Sequence, residues 1–152
     1  MALWEHRGVD LLDRLRGRRD PRRQGDLDRA AAAIDRELAA NLELAALFDQ
    51  THQAVIFENA EFSRHAVTLA REVPDDHRRL ADIYARMPAT ESAMERRGPA
   101  GSLRPQDRAL IETWEGDVRV AQLSLRQAAR RAPPSPLAAL LARLRGGRQT
   151  GR

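Results

Sequence analysis

The chain contains no cysteine in its 152 residues, which removes disulfides, thiolate nucleophiles and zinc sites built on cysteine. It also contains no lysine, so all 26 basic residues are arginine. A GC-rich coding bias accounts for that most cheaply, and arginine abundance alone is no binding signal. Aromatic residues are only 4% of the chain, which leaves little for stacking nucleic-acid bases. Val, Ile and Thr together number 15, too few to furnish a sheet. The longest stretch without a charge, residues 132–142, is 11 residues long, well short of the ~20 that a membrane helix needs. Near the start, Glu5, His6, Arg7 and Asp10 stand where a secretory signal would need an apolar run. A cytoplasmic protein without a transmembrane segment is the expectation.

What is present favours helices. Ala, Leu, Arg and Glu dominate, and all are good helix formers. The hydrophobic share is 42%, but 26 of those residues are Ala, so only 38 larger apolar side chains remain for a core. That supply suits a slim bundle in one domain. Charge is distributed unevenly. Residues 1–25 carry +3, residues 126–152 carry +7, and the twelve Arg against eighteen acids between them give −6. An acidic body with basic ends suits an anionic partner, or ends that fold back on the body.

Gly and Pro divide the chain. None occurs over residues 26–73, where Leu27, Ala31, Ile34, Leu38, Asn41, Ala45, Phe48, His52, Val55, Asn59, Phe62, Ala66, Leu69 and Val73 recur at alternating steps of four and three. This heptad spacing predicts one long helix with Asp26 as N-cap, stopped by Pro74. Two helices meeting near His52, where β-branched residues gather, are the alternative. A second helix is expected over 75–97, with Leu80, Ile83, Tyr84, Met87 and Met94 on one side, a kink at Pro88, and Gly98-Pro99 as its end. A third, over 103–132, carries Leu110, Trp114, Val118, Ala121, Leu125 and Ala128 as its apolar stripe. The fold class is therefore all-α: an elongated three-helix bundle with one long heptad-patterned helix and short terminal amphipathic helices. Its parts are a basic N-terminal arm (1–25), the bundle (26–132) and a Pro-hinged basic C-terminal helix and tail (133–152).

Polar residues in the seam need a reason. Asn41, His52 and Asn59 would specify register or oligomeric state, as buried polar groups in heptad seams do, or they lie exposed at a bend. In the arms, Arg16, Arg18, Arg19, Arg22, Arg23, Arg143, Arg145 and Arg148 are the candidates for meeting anions. The arms' apolar faces, Trp4, Val9, Leu11, Leu12 and Leu15 in one and Leu137, Leu140, Leu141 and Leu144 in the other, suit either membrane contact or packing on the bundle.

Catalytic signatures are missing: no Gly-x-Ser-x-Gly, phosphate loop, dinucleotide fingerprint or His-Glu-x-x-His occurs. A di-metal bundle uses Glu-x-x-His twice, and this chain offers only approximations: Asp49 with His52, Glu61 with His65, and the acids Glu112, Glu115 and Asp117. The expectation is a non-catalytic helical scaffold or interaction module, without cofactor or metal, forming a homo-oligomer or binding a helical partner. The alternative is a binder of nucleic acid or an anionic membrane surface through the Arg-rich termini.

Overall fold

The computed structural model describes residues 20–98 and 101–130. Every described element is a helix: α1 (Pro21–Thr51), α2 (Ala60–Glu72), α3 (Pro74–Glu95) and α4 (Pro105–Arg130). The chain divides into two compact units, residues 27–132 on one hand and residues 1–26 with 133–152 on the other. Of the second unit only residues 20–26 are described. They form the start of α1, with the Asp20 carboxylate accepting from the Arg22 amide at 2.9 Å and Pro21 opening the helix. This corrects the expected start at Asp26. Asp20-Pro21 is the stronger signal, because an Asp cap followed by a proline with no amide to satisfy suits the first helical position. Gly25, assigned to the N-terminal arm by the sequence reading, lies within the helix, where its cost of ~1 kcal/mol is carried by the rest of the helix.

The long helix expected over 26–73 is two helices. The first ends at Thr51 and residues 52–59 are not helical. His52 takes φ 56°, the left-handed conformation that commonly terminates a helix. Its amide still bonds the Phe48 carbonyl at 2.7 Å, while the Thr51 hydroxyl turns back to the Leu47 carbonyl at 2.8 Å. Gly101, also left-handed at φ 73°, sits against the His52 ring, so closely that a Cβ there would lie 2.6 Å from it. Among the described residues, four helices thus stand where three were expected.

In α1 the residues Leu27, Ala31, Ile34, Leu38, Asn41, Ala45 and Phe48 are all buried, and so are Ala30, Ala33 and Glu37. The buried face is wider than a two-position seam, as it must be in a helix that contacts several neighbours. Leu80, Ile83, Tyr84, Met87 and Met94 of α3, and Trp114, Val118, Ala121 and Leu125 of α4, complete the core. Packing runs from α2 to α3 and from α3 to α4. Only Val73 separates α2 from α3, which opens on Pro74 with Asp75 and Asp76 in its first turn, where acids favour the helix N-terminus.

Helix α3 continues through Pro88. Proline has no amide hydrogen, so the Tyr84 carbonyl lacks its usual partner four residues on. One residue earlier, the Ile83 carbonyl receives the indole N–H of the fully buried Trp114 at 3.2 Å. Where α3 gives way to α4, the Asp107 carboxylate accepts from Arg96 at 2.6 Å and Arg104 at 2.7 Å. These bonds, Arg96 first and Arg104 next, hold its carboxyl below the usual range.

Candidate binding surfaces

The break between α1 and α2 exposes backbone groups that a helix would have satisfied, and side chains from distant parts of the chain take them up. Asn41, buried on α1, makes a reciprocal pair with Glu58: its amide donates to the Glu58 carbonyl and its carbonyl oxygen accepts from the Glu58 N–H, both at 2.8 Å. Glu91 on α3 accepts from the Phe57 N–H at 2.6 Å. Phe57 itself is buried and stacks on Trp114, with ring centroids 4.4 Å apart.

Glu37 closes the segment. Its carboxylate, on buried α1 surface, accepts from the amides of Glu61 at 2.7 Å and Phe62 at 3.1 Å, in the first turn of α2. It is the N-cap of a helix to which it does not belong, and the local cap position, Asn59, makes no side-chain cap bond. The Tyr84 hydroxyl donates to the same carboxylate at 2.7 Å. Burial, then this bond and the adjacent negative charges of Glu37 and Glu61, push the Tyr84 phenol far above its ordinary value. Phe62 stacks on the Tyr84 ring at 4.4 Å and on His77 at 5.8 Å. A neutral phenol and an acceptor occupied by three donors form a structural clamp.

Of the polar seam residues, Asn41 is buried while His52 and Asn59 are exposed. Asn41 reaches the Glu58 backbone within its own chain. Arg22 and Arg23, expected in the N-terminal arm, are exposed in the first turn of α1. Arg16, Arg18, Arg19, Arg143, Arg145 and Arg148, and the apolar faces of both arms, lie outside the described residues. Glu61 and His65 do meet, at 3.4 Å across one turn of α2. Among the described residues no three His, Asp or Glu side chains converge to hold a metal ion, and no helix is long and apolar enough to cross a membrane.

Two surfaces escaped the sequence reading. One is the outer face of α4. Ala109, Thr113, Gly116, Val120, Leu123 and Gln127 follow one another at steps of four and three with no charge among them. Val120 is 54% and Leu123 58% exposed, and a Cβ on Gly116 would meet nothing within 4 Å. Ile111, Trp114, Val118, Ala121 and Leu125 fill the opposite, buried face. The other surface is a groove of about 430 Å³ between α1 and α2, lined by Arg29, Ala32, Ala33, Arg36, Glu61, Arg64 and His65.

Comparison with protein-family models, with curated proteins and with solved structures finds no match to this chain. The functional reading therefore rests on these surfaces.

Proposed function

We propose that this chain is a non-catalytic helical-bundle interaction module that associates with a second copy of itself through the outer face of α4. The observation that carries the proposal is the uncharged stripe from Ala109 to Gln127, whose steps of four and three match a left-handed coiled-coil seam. Two such stripes laid antiparallel about Val118 pair Gly116 with Val120, Thr113 with Leu123 and Ala109 with Gln127. Each layer then sets a smaller side chain against a larger one, and the seam runs about 27 Å at 1.5 Å per residue. Covering Val120 and Leu123 supplies the apolar contact, and the absence of charge avoids burying an unpaired ion. The same reading keeps the cytoplasmic setting expected from the sequence.

Light scattering after size exclusion tests this on the full chain. The intact protein is expected to be a dimer, and Val120→Glu with Leu123→Glu is expected to give a monomer of unchanged helicity, since both residues already face outward. A monomeric intact chain, or a dimer indifferent to both substitutions, refutes the proposal. A second reading, contact of the Arg-rich ends with nucleic acid or anionic membrane, is favoured by their +3 and +7 against −6 for the body. It predicts binding that falls steeply as salt is added.

A further inference from the structure

We propose that the α1–α2 hairpin opens to exchange α1 between two copies of the chain, with residues 52–59 turning helical as it does so. The association is separate from the α4 contact and uses surfaces that a single chain buries within itself. Residues 52–59 contain no Gly or Pro, so nothing in their own covalent structure forbids a helix there. The bend starts at His52, a residue with a Cβ held at φ 56°, which L-residues other than glycine adopt at a cost. Of the eight residues only Phe57 is buried, Val55 is half-buried and the rest are exposed, Ile56 at 84%. What holds the segment bent is Phe57 stacked on Trp114 and three hydrogen bonds of its backbone, two with Asn41 and one with Glu91. A continuous helix would satisfy those backbone groups within itself and release His52 from its left-handed conformation.

The register names the partner. The heptad positions from Leu27 to Val73 are symmetric about Gln50, so an antiparallel pair of straight helices sets Leu38 against Phe62, Asn41 against Asn59, Ala45 against Val55 and Phe48 against His52. The hairpin follows that pairing to within two residues: Asn41 bonds Glu58, and Glu37 bonds Glu61 and Phe62. Two straightened helices related by a two-fold axis near Gln50 therefore place α1 of one copy against α2 of the other in nearly the register the hairpin already uses. Glu37 of each copy then caps α2 of the other, and Gln122 and Arg126 of α4 reach Asp35 across the pair as they do within one chain. The contacts given up are those of the bend. Only a second copy of this chain fits the opened core, because the vacated surface is shaped to α1 itself, and exchange of an identical element costs little once the hinge is released.

The chain has no cysteine, so spin labels go only where one is introduced. Ala32→Cys on α1 and Ala70→Cys on α2 lie at exposed positions. The hairpin keeps these labels on neighbouring helices, within roughly 20 Å, whereas the straightened helix carries them about 57 Å apart at 1.5 Å per residue. Pulsed dipolar spectroscopy on the labelled full chain, unfolded in urea and refolded with an excess of unlabelled chain, reads the distance within one copy. Both distances are expected, the long one gaining as total concentration rises. His52→Ala should raise the long-distance fraction and His52→Gly should lower it. Both variants remove the imidazole from Gly101 equally, but Ala favours the helix and Gly the left-handed bend. With two hinges in each exchanged pair, the variants should differ by roughly a hundredfold or more in the dimer constant. Val120→Glu with Leu123→Glu should leave the long distance in place, since it removes the α4 contact alone. The proposal is overturned if the intact chain shows the short distance alone at every concentration, if the Ala and Gly variants show equal fractions, or if the α4 substitutions abolish the long distance. Circular dichroism of each variant confirms that the comparison is made between folded proteins.

Discussion

Glu37→Ala tests the clamp that ties α1 to α2 and α3. The carboxylate is buried and accepts from the amides of Glu61 and Phe62 and from the Tyr84 hydroxyl. Its removal leaves three donors without their acceptor. An unsatisfied buried donor costs about 1–3 kcal/mol. The phenol, inside the core, bears most of that cost, while the two partly buried amides recover some of it from water entering the vacated space. The loss of a negative charge at the N-terminus of α2 adds roughly 0.3–1 kcal/mol. Together these give a destabilisation of about 3–5 kcal/mol, which lowers Tm by roughly 10–20 °C for a domain of this size. Glu37→Gln should cost less, about 1.5–3 kcal/mol, because one oxygen survives to serve Phe62 and Tyr84 while the new NH2 opposes the Glu61 amide. Thermal and urea unfolding followed by circular dichroism measure the effect. Hydrogen exchange locates it, with the Glu61 and Phe62 amides expected to lose protection. If Glu37→Ala melts within a few degrees of the intact protein and those two amides exchange as before, the clamp does not hold α2 and the reasoning fails.

Tyr84 is the chain's single tyrosine, so phenolate absorbance reports it alone. Its folded pKa lies above the unfolded value of about 10, so the contribution to stability is complete below that pH and declines as pH rises beyond it. The native protein should show no tyrosinate signal until it unfolds in alkali, and a gradual signal near pH 10 with helicity intact would contradict this. Asn41→Leu should lower stability by about 2 kcal/mol in urea unfolding, because the Glu58 N–H and carbonyl both lose their partner. A seam that merely tolerated Asn41 to fix register would instead gain stability from the apolar replacement.

Composition and periodicity determined a good deal of this protein. Scarce β-branched residues and abundant Ala, Leu, Arg and Glu made every described element a helix, because those preferences are local and add along a window. Apolar spacing identified the buried face of α3, Trp114, Val118, Ala121 and Leu125 of α4 with Leu110 and Ala128 only half-buried, and the seven inward residues of α1 from Leu27 to Phe48, while Ile111 was missed. Pro74 marked the boundary between α2 and α3 through a backbone restriction that proline carries with it, whereas α3 ends at Glu95 with Arg96 as its cap, short of Gly98, which does not take the left-handed conformation. The break at residues 52–59 was the sequence's alternative, on the β-branched residues gathered near His52, but the choice between it and one long helix belongs to the other category. No Gly or Pro stands there, and the heptad steps continue through it. The chain leaves the helix because its exposed backbone groups find acceptors and donors elsewhere: Asn41 at a separation of 17 residues, Glu37 at 24 and 25, and Glu91 at 34. The same holds for the groove, where Arg29 and Arg36 of α1 meet Arg64 and His65 of α2 only after that break turns the second helix back on the first. A hydrogen bond depends on distance and angle between groups in space, and the order of residues along a chain records neither until the helices have packed.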